Sequence, residues 1–250
     1  MAVQSKSLLD ILRADVEEWI KTFRGVFSNE RDLQVKLALW LESRADHYTM
    51  VDTEYCVPTE ELRMRGYHIP RRTDNPADFP DFPWHNEISL DIVVARGDEY
   101  AAVELKYFTR PVKCEENIFG ETLHTTTRLK DKAAIDVAMY GYCKDIRRIE
   151  MVTEAFPKVC GGIALIVANN HSLWEEPKGT PLYLPFSLHQ DNIFHKGFHG
   201  WSAGGSEKFK SERPGFNTNN EYKWHWDDTS IPHKAANGDI FRYLLTTIKK

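Results

Sequence analysis

The sequence predicts one α/β domain in which a mixed sheet is covered by helices. Three observations carry that expectation. Two N-terminal stretches repeat apolar residues at helical spacing. Two alternating runs around residue 97 read as paired strands. A further helical pattern at 127–150 is followed by a short, almost wholly apolar run from Gly161 to Ala168. At 250 residues, with 42% hydrophobic and 12% aromatic side chains, the chain has enough apolar surface for one sizeable core. Those figures exclude collagen-like, low-complexity and disordered classes.

The elements follow in order. Leu8, Leu12, Val16, Trp19 and Phe23 place an amphipathic helix over 6–24. Ser28-Asn29, with Asp32 three residues after Asn29, marks a second helix start. That helix runs to about Ser43, with Leu33, Leu37, Trp40 and Leu41 turned inward. Tyr48 to Val57 is strand-like. The stretch from Pro58 to Asn86, rich in Pro, Arg and Asp, is a long loop of the kind that carries function. Strands are expected from Ile88 to Ala95 and from Tyr100 to Phe108, with Gly97-Asp98 as the hairpin turn. Ile135, Met139, Tyr142, Ile146 and Ile149 form one stripe of the helix at 127–150, and 161–168 reads as a fully buried strand. Residues 170–220 carry no clear period. Tyr222 to Trp226 reads as a strand, and Phe241 to Ile248 as a last strand or short helix. No repeat or internal domain boundary is visible, so 1–250 is read as one domain.

Charge and cysteines narrow the function classes. Thirty-two Lys+Arg against 37 Asp+Glu leave a net charge of −5, so an anionic partner must be met by a local patch rather than by the global field. Cys56, Cys114, Cys143 and Cys160 form no Cys-x-x-Cys pair, which argues against structural zinc and thioredoxin-like chemistry. Reduced thiols in a cytoplasmic protein are the simpler reading. No signal-peptide pattern opens the chain, and the longest apolar run, 161–168, is too short to span a bilayer. A soluble, cytoplasmic protein without membrane contact is expected.

The strand pair holds the chemistry. With Gly97-Asp98 as the turn, Arg96 faces Glu99, Asp91 falls opposite Glu104, and Ser89 falls opposite Lys106. Leu90, Ile92 and Val94, with Ala101, Val103 and Leu105, then form the core face. Two carboxylates so placed have β-carbons roughly 5 Å apart and repel by up to about 1 kcal/mol. A divalent cation between them reverses that penalty. Mg²⁺, with Mn²⁺ as an alternative, takes one or two carboxylates and completes its shell with water and phosphate oxygens. Lys106 beside it orients or deprotonates a water, or stabilises the pentavalent phosphate. The combination suits metal-assisted phosphodiester hydrolysis. The competing reading is a solvated Glu-x-Lys pair beside an exposed strand carboxylate.

Asp91 followed by Glu104-Leu105-Lys106 on the next strand resembles the PD-(D/E)XK nuclease superfamily, over about residues 28–168. The resemblance implies a restriction-endonuclease-like, three-layer α/β/α fold with a central mixed sheet, and a C-terminal elaboration over 170–250. It implies Asp91 and Glu104 as metal ligands, the Leu105 carbonyl as a further ligand, and Lys106 as the residue that positions the attacking water. Glu30, in the second helix, matches the auxiliary acid of many members; a first-turn charge favoured by the helix dipole explains it equally well. Leu90 stands where the family pattern has proline. A literal Pro80-Asp81 lies in the long loop, off any predicted strand. The implied activity is a Mg²⁺-dependent nuclease, with DNA as the first candidate substrate. Double-strand cleavage by one such site per chain favours a homodimer. The rival is a catalytically inactive nucleic-acid- or protein-binding module on the same fold.

Weaker signals surround this one. Arg63, Arg65, Arg71 and Arg72 cluster in the long loop with Tyr67 and His68, as phosphate contacts require, although Glu60, Glu61 and Asp74 dilute the field. Lys130, Lys132, Lys144, Arg147 and Arg148 read mostly as a solvated helix face, and Asp136 and Tyr140 share one face of the same helix without a catalytic assignment. Gly200-Trp201-Ser202-Ala203-Gly204 matches a nucleophile elbow but lacks the strand before it and the helix after it. His195 and His199 have zinc-ligand spacing, but Gly197 between them opposes a helix.

Overall fold

Local signals set the first two helices. In α1 (Leu8–Thr22) the Ser7 side chain accepts the Asp10 N–H at the N-cap. In α2 (Glu30–Glu42) the Asn29 side chain accepts the Asp32 N–H, and Asp32 accepts the Ser28 N–H in return. This reciprocal cap makes Glu30 the first helical residue. The computed structural model describes residues 6–67, 69, 88–131, 134–235 and 237–250.

The other elements are β1 (Met50–Val57), α3 (Thr59–Met64), β2 (Ile88–Arg96), β3 (Glu99–Phe108), β4 (Val112–Ile118), β5 (Glu121–Arg128), α4 (Ile135–Ala155) and β6 (Val159–Ala168). Beyond these come β7 (Ile193–Phe194), β8 (Gly197–His199), α5 (Glu207–Glu212), β9 (Phe216–Thr218), β10 (Tyr222–Lys223), β11 (Trp226–Asp228) and β12 (Arg242–Lys249). Six strands form one mixed sheet in the order β1-β2-β3-β6-β12-β11. Only β3 and β6 pair in parallel; every other neighbour in that sheet is antiparallel.

Helices cover both faces. On one, α1 and α2 bury Leu12, Val16, Leu33 and Leu37 against Ile92, Val94, Val103, Ile163, Leu165 and Val167. On the other, α4 lays Met139, Tyr142, Ile146 and Ile149 over Ala102, Ala164, Ile166 and Ile248. Strand β6 therefore feeds alternate side chains to both cores, which explains its unbroken apolar run.

Several expectations change: α3 lies inside the stretch read as a long loop, and the strand expected at Tyr222 to Trp226 divides between β10, paired with β7, and β11 of the main sheet. The helix expected at 127–150 begins at Ile135 and ends at Ala155. The preceding residues form the β4–β5 hairpin, where β-branched Thr125, Thr126 and Thr127 favour a strand. Phe119 and Gly120 both take positive φ (53° and 86°) at its turn, a conformation that glycine adopts without strain. The C-terminal stretch is also more than an elaboration. Strand β12 pairs with β6 from Arg242↔Ala168 to Lys249↔Gly161, so the sheet is completed from outside the expected 28–168 core.

Leu165 is fully buried at the centre of this sheet. Leu165→Ala should lower the unfolding free energy by about 2–5 kcal/mol, read by urea denaturation. A loss below about 1 kcal/mol would show that the site lies outside the cooperative core.

Candidate active site

A fork in the sheet builds the site. Strands β2 and β3 pair from Arg96↔Glu99 to Ile92↔Val103 and then separate. Strand β2 continues along β1 as far as Val57↔Ile88, while β3 continues along β6 as far as Phe108↔Ala168. The expected turn and register hold up to Ile92. Beyond it the expected Asp91–Glu104 and Ser89–Lys106 pairings are not made. Ser89 Oγ instead donates to Glu54. Leu90 also changes face, packing with Val93 and Ala102 rather than with Ile92 and Val94. The switch falls where Glu54 of β1 takes a positive φ of 53° and the Glu54–Asp91 pair is missing from a β1–β2 ladder whose register is otherwise unchanged.

Separation leaves backbone donors on the exposed edge of β3, and buried donors must find acceptors. Acidic side chains supply them. Asp91 Oδ2 accepts the Leu105 N–H at 2.6 Å, and Glu30 Oε2 accepts the Tyr107 N–H at 2.9 Å. Gln34, one turn after Glu30, donates to the Asp91 carbonyl at 2.6 Å and to Glu54 at 3.0 Å. Glu30 is thus more than a first-turn charge: its side chain reaches into the fork.

Helix α4 closes the other side. Lys106 Nζ lies 2.6 Å from Asp145 Oδ2, donates to the Leu105 carbonyl at 3.0 Å, and stands 4.0 Å from Glu30 Oε1. Arg148 Nη1 donates to Glu104 Oε1 at 2.9 Å and lies 3.3 Å from Asp145 Oδ1. Glu104 and Asp145 are almost completely buried. Beside Lys106 opens a cleft of about 410 Å³, walled by Glu30, Tyr107, Phe108, Ala138 and Gly141 among others. A β-carbon at Gly141 would make only an ordinary contact with Lys106 Cε, at 3.5 Å.

Four carboxylates (Glu30, Asp91, Glu104 and Asp145) thus meet Lys106, Arg148 and the nearby Lys144. Burial raises Asp91 above the usual carboxylate range, outweighing the pull of Lys106 and the Leu105 N–H. Burial, reinforced by Asp145 and Asp91, pushes Glu104 well up despite Arg148. Lys106 behaves oppositely. Burial works against its charge, but Asp145, Glu30 and Glu104 hold it above an ordinary lysine. Lys144 is pulled down to about 8 by burial and by the repulsion of Arg148.

The four residues expected at the centre, Glu30, Asp91, Glu104 and Lys106, come together here. Asp145 and Arg148 were not expected. Their signal was an i, i+3 pair of opposite charge beside the Tyr142–Ile146–Ile149 stripe. Arg147 and Arg148 do not belong to a solvated face: Arg147 is buried against Glu150, and Arg148 is turned toward Glu104. Arg63 and Arg65 pair with Glu60 and Glu61 of their own short helix, and Arg65 also covers the Phe156 ring. Arg71, Arg72, His68, Asp74 and Pro80-Asp81 lie outside the described residues. Ser202 sits in the irregular stretch between the three-residue edge pairing of β8 and the exposed α5, its N–H donating to the Leu182 carbonyl, and joins no buried strand directly to a helix as a nucleophile elbow does. His199 Nε2 points at the His195 carbonyl at 2.8 Å, and the His195 ring turns instead to Glu221, so the two rings do not converge on a metal.

Among the described residues no group of three or more His, Cys, Asp or Glu side chains is arranged to hold a metal ion. The oxygens of Asp91, Glu104 and the Leu105 carbonyl are of the donor type that Mg²⁺ and Mn²⁺ take, and here they accept the Leu105 N–H, Arg148 and Lys106 respectively. Among the described residues no helix is long and apolar enough to cross a membrane. No protein-family model matches the chain, and neither a curated protein nor a solved structure is significantly similar to it.

The raised Asp91 carboxyl has a consequence for stability. A carboxyl raised by folding favours the native state below its unfolded value, about 3.9, and that contribution is lost as pH climbs through the folded value. Asp91→Asn keeps an acceptor for the Leu105 N–H but removes the charge. Its stability relative to wild type should therefore rise between pH 4 and pH 8, measured by urea denaturation in EDTA. A difference independent of pH would contradict the raised carboxyl.

Proposed function

We propose that the chain is a divalent-metal-dependent nuclease of the PD-(D/E)XK kind, hydrolysing phosphodiester bonds in nucleic acid, with DNA as the first substrate to test. One observation carries the reading: at the fork, Asp91, Glu104, Lys106 and Glu30 gather around the Leu105 peptide. The Leu105 backbone is held on both sides, its N–H donating to Asp91 and its carbonyl accepting from Lys106. The mixed sheet with helices on both faces and the parallel β3–β6 pair support a restriction-endonuclease-like arrangement. The case rests on the site, because fold alone does not assign chemistry.

Asp91, Glu104 and the Leu105 carbonyl would hold Mg²⁺ or Mn²⁺. When bound, such a cation supplies Lewis-acid polarisation of the phosphate and a more acidic water. Lys106 is tied to Asp145 and stays cationic, which makes it a hydrogen-bond donor and a counter-charge for phosphate oxygens rather than the base. Glu30 stands on the cleft side of Lys106 and reaches the same space. Arg63 and Arg65, with Arg71 and Arg72, remain the proposed phosphate contacts of the substrate, and a homodimer would cut both strands of a duplex.

A second reading, a binding module without turnover, draws on two contacts. Arg148 already engages Glu104, and Lys106 already engages the Leu105 carbonyl, so two of the three proposed donors already face a cation of the chain itself.

One experiment separates the two readings. Plasmid, linear duplex, single-stranded DNA and RNA are incubated with Mg²⁺ or Mn²⁺ and with wild type, Asp91→Asn or Lys106→Ala, each checked for folding by circular dichroism. Calorimetry measures Mn²⁺ binding in parallel. Wild type alone should cleave; Asp91→Asn should lose Mn²⁺ affinity as well, and Lys106→Ala should retain it. Equal cleavage by all three would sink the assignment, and Mn²⁺ binding without cleavage would favour the binding module.

A further inference from the structure

Asp145 has no assigned part in the chemistry above, yet its carboxylate lies between two cations of the fork. It lies on the inward side of α4 and is 2% exposed. One oxygen stands 2.6 Å from Lys106 Nζ and the other 3.3 Å from Arg148 Nη1. Arg148 in turn holds Glu104 at 2.9 Å. The sequence of contacts Lys106, Asp145, Arg148, Glu104 therefore runs from the proposed water- and phosphate-facing ammonium to a proposed metal ligand, with Asp145 as the bridge.

Stability alone is a poor account of such a residue. Burying ions carries a large desolvation penalty, and apolar side chains of similar volume commonly serve a core as well or better. Asp145 lies inside α4 and caps no helix end; among the described residues its partners are two cations of the site. Glu150, farther along the same helix, is the contrast. It is equally buried, pairs with Arg147, and accepts the backbone N–H groups of Asn219 and Asn220 and the Tyr222 hydroxyl. Glu150 anchors a loop, whereas Asp145 anchors the site.

We propose that Asp145 is a positioning residue for phosphodiester hydrolysis, setting the place of Lys106 Nζ directly and that of the Glu104 carboxylate through Arg148. The inference rests on the nuclease reading. Without the Asp145 charge, Lys106 keeps the Leu105 carbonyl but is free to move toward Glu30, now 4.0 Å away. A displacement of about 1 Å at a reacting group lowers rates about 100-fold. Outer partners of metal ligands typically contribute about 10–100-fold to affinity or activity.

The test compares wild type, Asp145→Asn and Glu150→Gln, each neutralising one buried carboxylate of α4. Cleavage of the substrate found in the panel gives kcat and KM, calorimetry gives Mn²⁺ affinity, and circular dichroism gives the folded fraction. Asp145→Asn should lose about 10–100-fold in kcat with little change in KM, and should bind Mn²⁺ more weakly. Glu150→Gln, at the same folded fraction, should keep all three values. If Asp145→Asn does not fold, Asp145→Glu replaces it; the charge is kept but displaced by one methylene, and the same loss in kcat is expected. Wild-type kinetics in the Asp145 variant, or equal losses in both variants, would overturn the positioning role while leaving the nuclease reading standing. A wild type that neither cleaves nor binds Mn²⁺ would overturn the nuclease reading, and this inference with it.

Discussion

The parting of β2 from β3 after Ile92 is the constraint on which the site depends. A continuous ladder would satisfy the backbone of β3 and leave Asp91 as an ordinary strand residue. Once the strands part, the N–H groups of Leu105 and Tyr107 need other acceptors, and Asp91 and Glu30 provide them. The same parting opens the space between α2 and α4. Acid side chains thus close the backbone's hydrogen bonds and, in doing so, gather carboxylates around Lys106.

The second constraint is electrostatic. Glu104 is buried beneath α4, and an isolated buried carboxylate is strongly disfavoured. Arg148 compensates it, Asp145 bridges Arg148 to Lys106, and Glu30 stands on the far side of Lys106. Each charge is tolerable because the next one is in place. The site is therefore a property of α2, β2, β3 and α4 together. The cores above and below β6 hold those elements in position.

Much of this was legible in the sequence. Asn29 and Asp32 placed the start of α2 and hence Glu30. Alternation on both sides of Gly97-Asp98 placed β2, β3 and their register as far as Ile92. Asp91, Glu104 and Lys106 followed from that register, although Asp91 and Glu104 meet across a fork and not along a ladder. Other features left weaker traces. A hairpin at 112–128 hides in a polar stretch with little apolar alternation. Asp145 and Arg148 look in sequence like any surface ion pair, because nothing local shows which side of α4 turns toward β3.

By itself the sequence determined the elements that depend on near neighbours: capped helices, alternating strands, the Gly97-Asp98 turn and the acids and lysine carried on them. Their signals lie within a few residues, where backbone geometry and side-chain period act directly. Only the tertiary structure decided where β2 leaves β3, that β12 completes the sheet, and that Asp145 and Arg148 join the site. Those outcomes depend on burial and on charges far apart in the chain, whose energies exist only once the layers have packed.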